Sequence, residues 1–561
     1  MMSSFRFHDT VSALAYSLAA PHADRPGLQP PYTDLTAFIL RQHARLPDYL
    51  RAPLLWATLA FDLGGFHHRS PATRAKKITA WRNSRLAAAR DLIRYHESLA
   101  TFALHSRDEP PPTPPSNDNP SPPLREQWCD VAVIGSGPGG SITACLLAEA
   151  GCTVLLIEEG RLFPTDSCAP FSRQEMELKY RHGGQTAAFG QDKISYVEAC
   201  CAGGGSEINS GLYHRTPPEI LEHWQKHFDV EELDEVHLQP HFEAIERTLS
   251  VSLLDHPAPV ASLKLHDGAR QLGWNSIEVP RWFRNGVRQS MSRTYLARFR
   301  RNGSSLLAQT RAVRLCRDER GWLVHAHHPS GPIRIHARFV FVCGGAVQTP
   351  ALLLRSGISR NIGRSLAMHP TIKIAARFAE PVNSAGMGVP VHQVKEFAPR
   401  LSFGCSISTP SHLALGLLNH PEQTAGWPNM ANYYAMTTPE GRGSIRLLPG
   451  FQSPFVRYRL TANDRRNLDD GLRKLSDILH AAGAVAVYPN TNLMTIHLFS
   501  SCPMGENKSR CATDSFGRVH GCANLYINDA SLLCTAPGVN PQGTIMAIAR
   551  RNALRFLTRV L

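Results

Sequence analysis

The sequence predicts an α/β protein with a helical extension at its N-terminus, and three observations support this. Residues 129–160 follow the order strand, glycine-rich turn, helix and strand, which is typical of a nucleotide-binding βαβ unit. The proline-rich stretch 109–124 predicts a stiff linker, because so many prolines prevent both helix and strand formation. Before this linker, residues 33–105 show the apolar spacing of helices, so we expect 1–108 to form a helical extension.

Length, composition and charge restrict the class of protein. The chain has 561 residues, of which 43% are hydrophobic and 19% are charged, so we expect two or more globular domains. The formal net charge is +14, but the sequence contains neither a lysine- or arginine-rich block nor zinc-finger spacing. These absences argue against nucleic acid as a partner. The histidines show no HExxH spacing, and we expect no metal site.

Cysteine usage and hydropathy indicate the compartment. The chain contains 13 cysteines without a CxxC pair, and several of them lie in apolar runs. This pattern favours buried thiols in a reducing compartment, so we expect a cytoplasmic protein. The most apolar candidate span, residues 52–66, is shorter than the roughly 18 residues that a membrane helix needs, and it contains Asp62.

The βαβ unit carries a dinucleotide-binding fingerprint. The apolar run VAVIG predicts a buried parallel strand, and it leads into GSGPGG and an Ala- and Leu-rich helix. Gly135 permits the tight turn, Gly137 lets the backbone approach a pyrophosphate, and Gly140 allows close packing of helix and strand. Glu158 ends the second strand, where an acid can bind ribose hydroxyls. The predicted cofactor contacts in this unit are Gly135, Ser136, Gly137, Pro138, Gly139, Gly140, Glu158 and Glu159. The unit alone does not distinguish NAD from FAD.

The C-terminal stretch 537–557 predicts a loop followed by one helix. Pro541 suits the first helical position, and Asn540 then occupies the N-cap. Ile545 and Ile548 belong to an apolar stripe along the helix. Its free N–H groups and its dipole favour a negatively charged group at the N-terminus.

Several further stretches carry a likeness to a known family. They are CAGGGSEINSGLYHR at 201–215, GGAVQTPALLLRSGIS at 344–359, NIGRSLAMHP at 361–370, IHLFSSCPMG at 496–505, VHGCANLYINDAS at 519–531 and PGVNPQGTIMAIA at 537–549. Together, and in this order, they resemble the glucose–methanol–choline (GMC) oxidoreductases over residues of about 127–561. Ser359 departs from that family's second signature, where glycine is usual. The phrase GVNP and the helical extension are most similar to the long-chain (fatty) alcohol oxidase branch.

The resemblance implies FAD as the cofactor and a discontinuous Rossmann-like FAD-binding domain beside a sheet-based substrate domain. The implied FAD-binding parts are 125–215, 301–370 and 491–561, and the implied substrate parts are 216–300 and 371–490. The last helix is implied to point at the flavin ring. The further cofactor contacts that the resemblance implies are Gly204, Gly205, Ser206, Asn209, Val313 (or its neighbour Ala312), Asp529, Ala530, Gln542 and Gly543.

The resemblance also implies the catalytic residues. His497 matches the catalytic histidine of the family and Asn540 matches its His-or-Asn partner. An alcohol oxidation needs a base for the hydroxyl proton, while the hydride passes to flavin N5. His497 supplies the base near neutral pH, and the Asn540 amide holds the substrate oxygen. Without the resemblance, we would expect His497 to be a buried histidine bonded to backbone and Asn540 to be a plain helix cap. We expect His369, before Pro370, to be structural.

The predicted function is therefore the FAD-dependent oxidation of a hydrophobic alcohol, long-chain or terpenoid- or sterol-like, to an aldehyde or a ketone. The electron acceptor is oxygen, a quinone or a cytochrome, and the extension leaves a peripheral membrane contact open. Two alternatives remain: a flavin-dependent lyase or photodecarboxylase on the same fold, and a non-catalytic flavoprotein or electron-transfer subunit. The motifs do not specify the exact substrate, the oligomeric state, covalent attachment of FAD or the role of the extension.

Overall fold

The computed structural model describes residues 2–23, 25, 27–109, 124–319 and 321–560, with side chains from Arg6 onward. The helices are α1 Met2–Ala19, α2 Thr33–Arg45, α3 Asp48–Phe61, α4 Pro71–Arg82, α5 Ala87–Leu104, α6 Pro138–Glu149, α7 Arg173–Lys179, α8 Pro218–Phe228, α9 Glu235–Leu249, α10 Val260–Gln271, α11 Tyr295–Arg301, α12 Gly345–Arg355, α13 Pro410–Gly416, α14 Ala462–Ala481 and α15 Gln542–Arg559. The predicted linker falls almost wholly at 110–123, outside the described residues.

The strands alternate with these helices, which confirms the predicted α/β class. They are β1 Glu126–Ile134, β2 Val154–Ile157, β3 Thr186–Ala188, β4 Ile194–Tyr196, β5 Val251–Ser252, β6 Ser276–Glu278, β7 Arg281–Arg284, β8 Val287–Arg288, β9 Ser305–Leu307, β10 Arg311–Asp318, β11 Gly321–His328, β12 Gly331–Val342, β13 Ala367–Met368, β14 Thr371–Arg377, β15 His392–Val394, β16 Leu401–Cys405, β17 Met430–Thr437, β18 Arg442–Arg446, β19 Phe455–Arg459, β20 Ala486–Thr495, β21 Leu498–Phe499 and β22 Leu525–Ile527.

The first sheet contains the predicted βαβ unit. Its strands run in the order β10-β11-β12-β1-β2-β9, and β22 also pairs with β12. The pairs β12–β1, β1–β2, β2–β9 and β12–β22 are parallel, whereas β10 and β11 form an antiparallel edge. Val131–Ile134 of β1 are buried, as an apolar run covered on both faces predicts. Helices α6 and α15 pack together beside this sheet.

The second sheet positions the other side of the site. Its strands run in the order β3-β4-β20-β14-β17-β16-β15-β6, and helices α10 and α14 pack on one of its faces. Ile372 and Ile374 of β14 belong to the apolar core of this layer. Because side chains alternate along a strand, Thr371 and Lys373 lie on the opposite face. Strands β3 and β4 join this sheet although they precede the predicted boundary at 215, so the boundary does not coincide with the change of sheet.

The N-terminal extension packs against the rest of the protein. Helices α1, α2 and α5 enclose its own apolar core, which includes Phe38 and Phe102. Gln185 donates to the backbone and side-chain oxygens of Gln42, both at 2.8 Å. Helix α5 also packs on α13, where the Phe102 ring meets the His412 ring at 5.7 Å between centroids. The extension therefore supports helix α13, and His412 of this helix lines the site described below.

Two predictions from composition can be compared with the structure. All thirteen cysteines lie within the described residues, and none of them forms a disulfide. Within the same residues, every helix is too short or too polar to span a bilayer.

Candidate active site

A cavity of about 490 Å³ lies between the two sheets. Its nucleotide half is lined by the glycine loops at 135–139 and 204–205 together with Glu158, and its catalytic half is lined by His497, Asn540 and Lys373. The predicted site residues that line this cavity are Gly135, Gly137, Pro138, Gly139, Glu158, Glu159, Gly204, Gly205, Asn209, His497, Asp529, Ala530, Asn540 and Gln542. Those that do not line it are Ser136, Gly140, Ser206, Val313 and Gly543.

The first glycine loop closes tightly on neighbouring backbone. Gly135 has φ +102°, and a Cβ there would lie 2.3 Å from the Cys343 carbonyl oxygen. A Cβ on Gly140 would lie 1.8 Å from the carbonyl oxygen of Gly135, so Gly140 serves packing and does not face the cavity. Gly137 has only the Gly204 Cα nearby, at 3.9 Å from a built Cβ. The loop thus leaves its open side toward the cavity, as a phosphate cradle requires.

Glu158 directly follows β2 and links this strand to the first glycine loop by hydrogen bonds. Its Oε2 accepts from Ser136 N at 2.9 Å and from Ser136 Oγ at 2.7 Å, and its Oε1 accepts from Gly160 N at 2.7 Å. Burial raises the pKa of this carboxyl group. Ser136 is wholly buried and also accepts from Gly203 N at 3.2 Å, so it links the two glycine loops without lining the cavity.

Two charged residues stand at the adenine end of the predicted cofactor path. Arg181 forms a bidentate pair with Glu159 at 3.1 and 2.8 Å. Burial alone would raise the pKa of Glu159, but Arg181 lowers it to about 2. Ala312 lines the cavity, whereas Val313 is the unpaired residue of a β-bulge between Ala312 and Arg314. Of these two neighbours, which the resemblance offers as alternatives, Ala312 is the one that lines the cavity.

Buried polar side chains fix the loops around the flavin end. Asp529 accepts from Gly345 N at 2.7 Å and from Thr349 Oγ1 at 2.5 Å, and burial raises its pKa. Ser206 donates to Gly203 O at 2.7 Å and accepts from Met291 N at 3.0 Å. Ser206 consequently fixes the second glycine loop on the side away from the cavity.

The last helix begins one residue later than the sequence predicts. Helix α15 begins at Gln542, Pro541 occupies the N-cap, and no side chain caps the helix. The assignment of Asn540 as the N-cap is wrong, because its amide is engaged elsewhere, as described below. Gln542 Oε1 accepts from Asn209 Nδ2, and its buried Nε2 has no partner among the described residues. A Cβ on Gly543 would lie 2.2 Å from the His214 carbonyl oxygen, so this glycine permits close packing.

His497 and Asn540 meet in the catalytic half of the cavity. His497 Nε2 lies 3.4 Å from Asn540 Nδ2, and His497 Nδ1 lies 3.1 Å from His369 Nδ1. Since Gln393 donates to Asn540 Oδ1 at 3.1 Å, the Asn540 amide presents its N–H to His497. This orientation leaves Nε2 of His497 unprotonated and puts its proton on Nδ1, toward His369. Burial and the nearby charge of Lys395 lower the pKa of His497 to about 3, so the ring is neutral.

Gln393 organises this pair and was not found by sequence reasoning. Its Nε2 donates to Tyr434 Oη at 2.9 Å as well as to Asn540, and its Oε1 lies 3.1 Å from His214 Nε2. Burial lowers the pKa of His214 to about 3, so its neutral ring donates to Gln393. Gln393 and its three partners come from four distant segments of the chain, and no local motif identifies Gln393.

The residues present fit FAD. The open side of the first glycine loop suits a pyrophosphate, and the N-terminus of α15 with the unpartnered Gln542 Nε2 suits the electron-rich edge of a flavin. Asn209 and Gln542 would hold that edge, and Glu158 would face the ribose. Among the described residues, no group of three or more His, Cys, Asp or Glu side chains could hold a metal ion.

Comparisons with known proteins identify relatives of this chain. Residues 176–371 and 439–549 match sequence profiles described as GMC oxidoreductase, and 128–184 match one described as FAD binding domain. An uncharacterised GMC-type oxidoreductase of Sinorhizobium fredii is 38% identical over 473 residues, which cover 76% of this chain and 94% of that protein.

A characterised relative and a solved structure extend the comparison. A long-chain-alcohol oxidase of Arabidopsis thaliana is 25% identical, over 75% of this chain and 67% of its own length. The crystal structure of pyridoxine 4-oxidase from Mesorbium loti superposes with a TM-score of 0.62 at 19% identity, over 77% of this chain and all of that chain. The solved structure supports the fold alone.

Proposed function

This chain belongs to the GMC oxidoreductase family, as an FAD-dependent oxidoreductase, and we propose that it oxidises a hydrophobic alcohol to an aldehyde or a ketone. One observation carries the proposal: His497 and Asn540 meet at the cavity with Nε2 of His497 unprotonated. An alcohol oxidation needs a base and a donor to the same substrate oxygen, and this pair supplies both.

The proton chemistry follows from the orientation of these side chains. The substrate hydroxyl enters between His497 Nε2 and Asn540 Nδ2, donates its proton to Nε2 and accepts a hydrogen bond from Nδ2. His369 Nδ1 accepts from Nδ1 of His497, which holds the ring in the required tautomer. Bound FAD supplies the acceptor for the hydride. Burial and the nearby Lys395 charge keep His497 neutral before the reaction.

The walls of the catalytic half support a hydrophobic substrate. The apolar side chains that line this half include Val389, Ile407, Met436 and Met494. Such a wall binds an alkyl chain or a ring by removing apolar surface from water. The relative from Arabidopsis thaliana, a long-chain-alcohol oxidase, points to the same class of substrate.

The experiment is anaerobic reduction of the purified holoenzyme. A long-chain primary alcohol is added, and the visible flavin absorbance is followed, with the alkane of the same length as the control. Bleaching by the alcohol alone supports the proposal. Persistent absorbance with primary, secondary and cyclic alcohols would refute it. Subsequent addition of air, a quinone or cytochrome c then identifies the acceptor by the rate of flavin reoxidation.

A further inference from the structure

One cation in the catalytic half has no partner among the described residues. Lys373 lines the cavity on the face of β14 opposite the core residues Ile372 and Ile374. Among the described residues, no hydrogen bond or ion pair is made by its ammonium group, and burial lowers its pKa to about 8. A buried charge without a counterion is costly, so such a group usually meets its partner in a ligand.

The surroundings of Lys373 contain no free acid. The carboxylates that line the cavity in the described part of the chain are Glu158, Glu159, Glu198 and Asp529. Glu158, Glu159 and Asp529 accept from Ser136, Arg181 and Thr349, and Glu198 accepts from Gln348 through Oε1 while its Oε2 has no partner among the described residues. Burial alone shifts the pKa of Lys373, so none of these carboxylates lies close enough to act on it. His412 faces Lys373 and is neutral, because burial and then the lysine charge lower its pKa to about 3.

The residues opposite Lys373 on the neighbouring strands provide neither a counterion nor a hydrogen-bond acceptor for its ammonium group. Tyr434 and Asn490 lie opposite it on β17 and β20. The Asn490 amide points away, toward the Leu415 carbonyl at 3.3 Å, and the Tyr434 hydroxyl accepts from Gln393. The ammonium group is therefore left to an occupant of the cavity.

The order of residues along this face sets the shape of that occupant. His369 contacts the His497 ring, Thr371 follows with Met436 and Met494 opposite it, and Lys373 comes next. Four residues of extended chain span at most about 14 Å. The cavity thus presents a proton acceptor, then an apolar wall, then a cation.

From this order we propose that Lys373 binds a carboxylate of the substrate, so that the alcohol oxidised here is a hydroxy acid with an apolar spacer. The hydroxyl group lies at His497, the spacer on Met436 and Met494, and the carboxylate on Lys373. This inference rests on the proposed alcohol oxidation for the identity of the reacting end. The carboxylate site itself stands on the unpaired lysine.

The first test measures kcat/KM of the holoenzyme for two matched substrates. We expect kcat/KM for an ω-hydroxyalkanoate to exceed that for the n-alkanol of equal carbon number by tenfold or more, at one preferred length. In Lys373→Met this selectivity ratio falls about tenfold to hundredfold, the worth of a charge-assisted hydrogen bond. Lys373→Arg keeps most of the ratio, and the exposed control Lys76→Met keeps all of it. An equal ratio in wild type and Lys373→Met would overturn the inference.

The second test needs no turnover. Binding of an n-alkanoate, which lacks the hydroxyl group, to the oxidised holoenzyme is measured by calorimetry. We expect at least tenfold weaker binding by Lys373→Met, with flavin content and melting temperature as checks on folding. Equal binding by both proteins would overturn the carboxylate site. Alkanoate binding that depends on Lys373, without flavin reduction by any alcohol, would instead refute the proposed function and leave the site intact.

Discussion

The nucleotide half and the catalytic half of the cavity are built in opposite ways. The nucleotide half uses backbone from short contiguous motifs, and its geometry depends on the absence of side chains at Gly135 and Gly140. The catalytic half uses side chains from distant segments, with Gln393 joining His214 to Asn540. Added volume should therefore impair cofactor binding by the first half, whereas removal of a polar group should impair catalysis by the second.

Added volume in the nucleotide half is expected to have the broadest effect, because every reaction of the holoenzyme needs bound FAD. In Gly140→Ala the new methyl group would lie 1.8 Å from the Gly135 carbonyl oxygen, so the loop must move. We expect the purified variant to hold less FAD than the wild type, since a distortion of ~1–3 kcal/mol weakens binding by about 5- to 150-fold. Absorbance measures the FAD content, and circular dichroism verifies folding.

A matched glycine provides the control for this variant. Gly386 is exposed, and a Cβ there meets nothing within 4 Å, so Gly386→Ala should keep its full FAD content. Full FAD content in Gly140→Ala would show that the nucleotide half tolerates added volume, and it would contradict the difference drawn between the two halves.

A functional group removed from the catalytic half should leave the nucleotide half intact. His497→Gln keeps the size and polarity of the side chain but removes the base. We expect kcat/KM for alcohols to fall by about 10²–10⁴-fold at unchanged FAD content. Steady-state kinetics measures this, with the exposed His256→Gln as the control. A drop of less than threefold would remove His497 from the proposed role.

A smaller effect is expected from Gln393, which contacts the reacting groups only through Asn540. In Gln393→Leu the Asn540 amide loses the donor to its Oδ1 and can rotate away from His497. We expect kcat to fall by about 10–100-fold, because small misplacements of a catalytic group have effects of this size. FAD content stays at the wild-type value. The exposed Gln271→Leu should match the wild type, and a normal kcat in Gln393→Leu would contradict the assigned network.

The smallest effect concerns pH. Burial, followed by Lys395, lowers the pKa of His497 to about 3, so the ring stays unprotonated as the pH falls from 7 to 5. We expect kcat/KM to change by less than about twofold over this range, whereas a histidine with the ordinary pKa of ~6.5 would lose roughly 30-fold. The pH profile is measured where FAD content is constant. An acidic limb near pH 6.5 would contradict the buried, neutral His497.

The difference between the two halves also explains what the sequence could predict. The glycine loops, Glu158 and the order of the motifs are local patterns, and the predicted residues mostly line the nucleotide half. Ala312 lines the cavity and Val313 does not, because a single bulged residue shifts the strand by one position. Gln393 and Lys373 were missed because they reach the cavity only through the pairing of strands far apart in the chain, and His214 because it lies in a loop.

The late position of β22 and α15 has a consequence for biosynthesis. Gly139 packs against the Asn528 carbonyl, Thr143 accepts from the Asn528 amide at 2.8 Å, and α15 packs on α6. Elements near the end of the chain thus complete a cradle that is begun near residue 135. At ~5–20 residues per second, residue 543 is synthesised roughly 20–80 s after residue 140. Flavin capture is therefore expected to wait until the residues of α15 have left the ribosome, and a stalled nascent chain ending at residue 520 is expected to hold none.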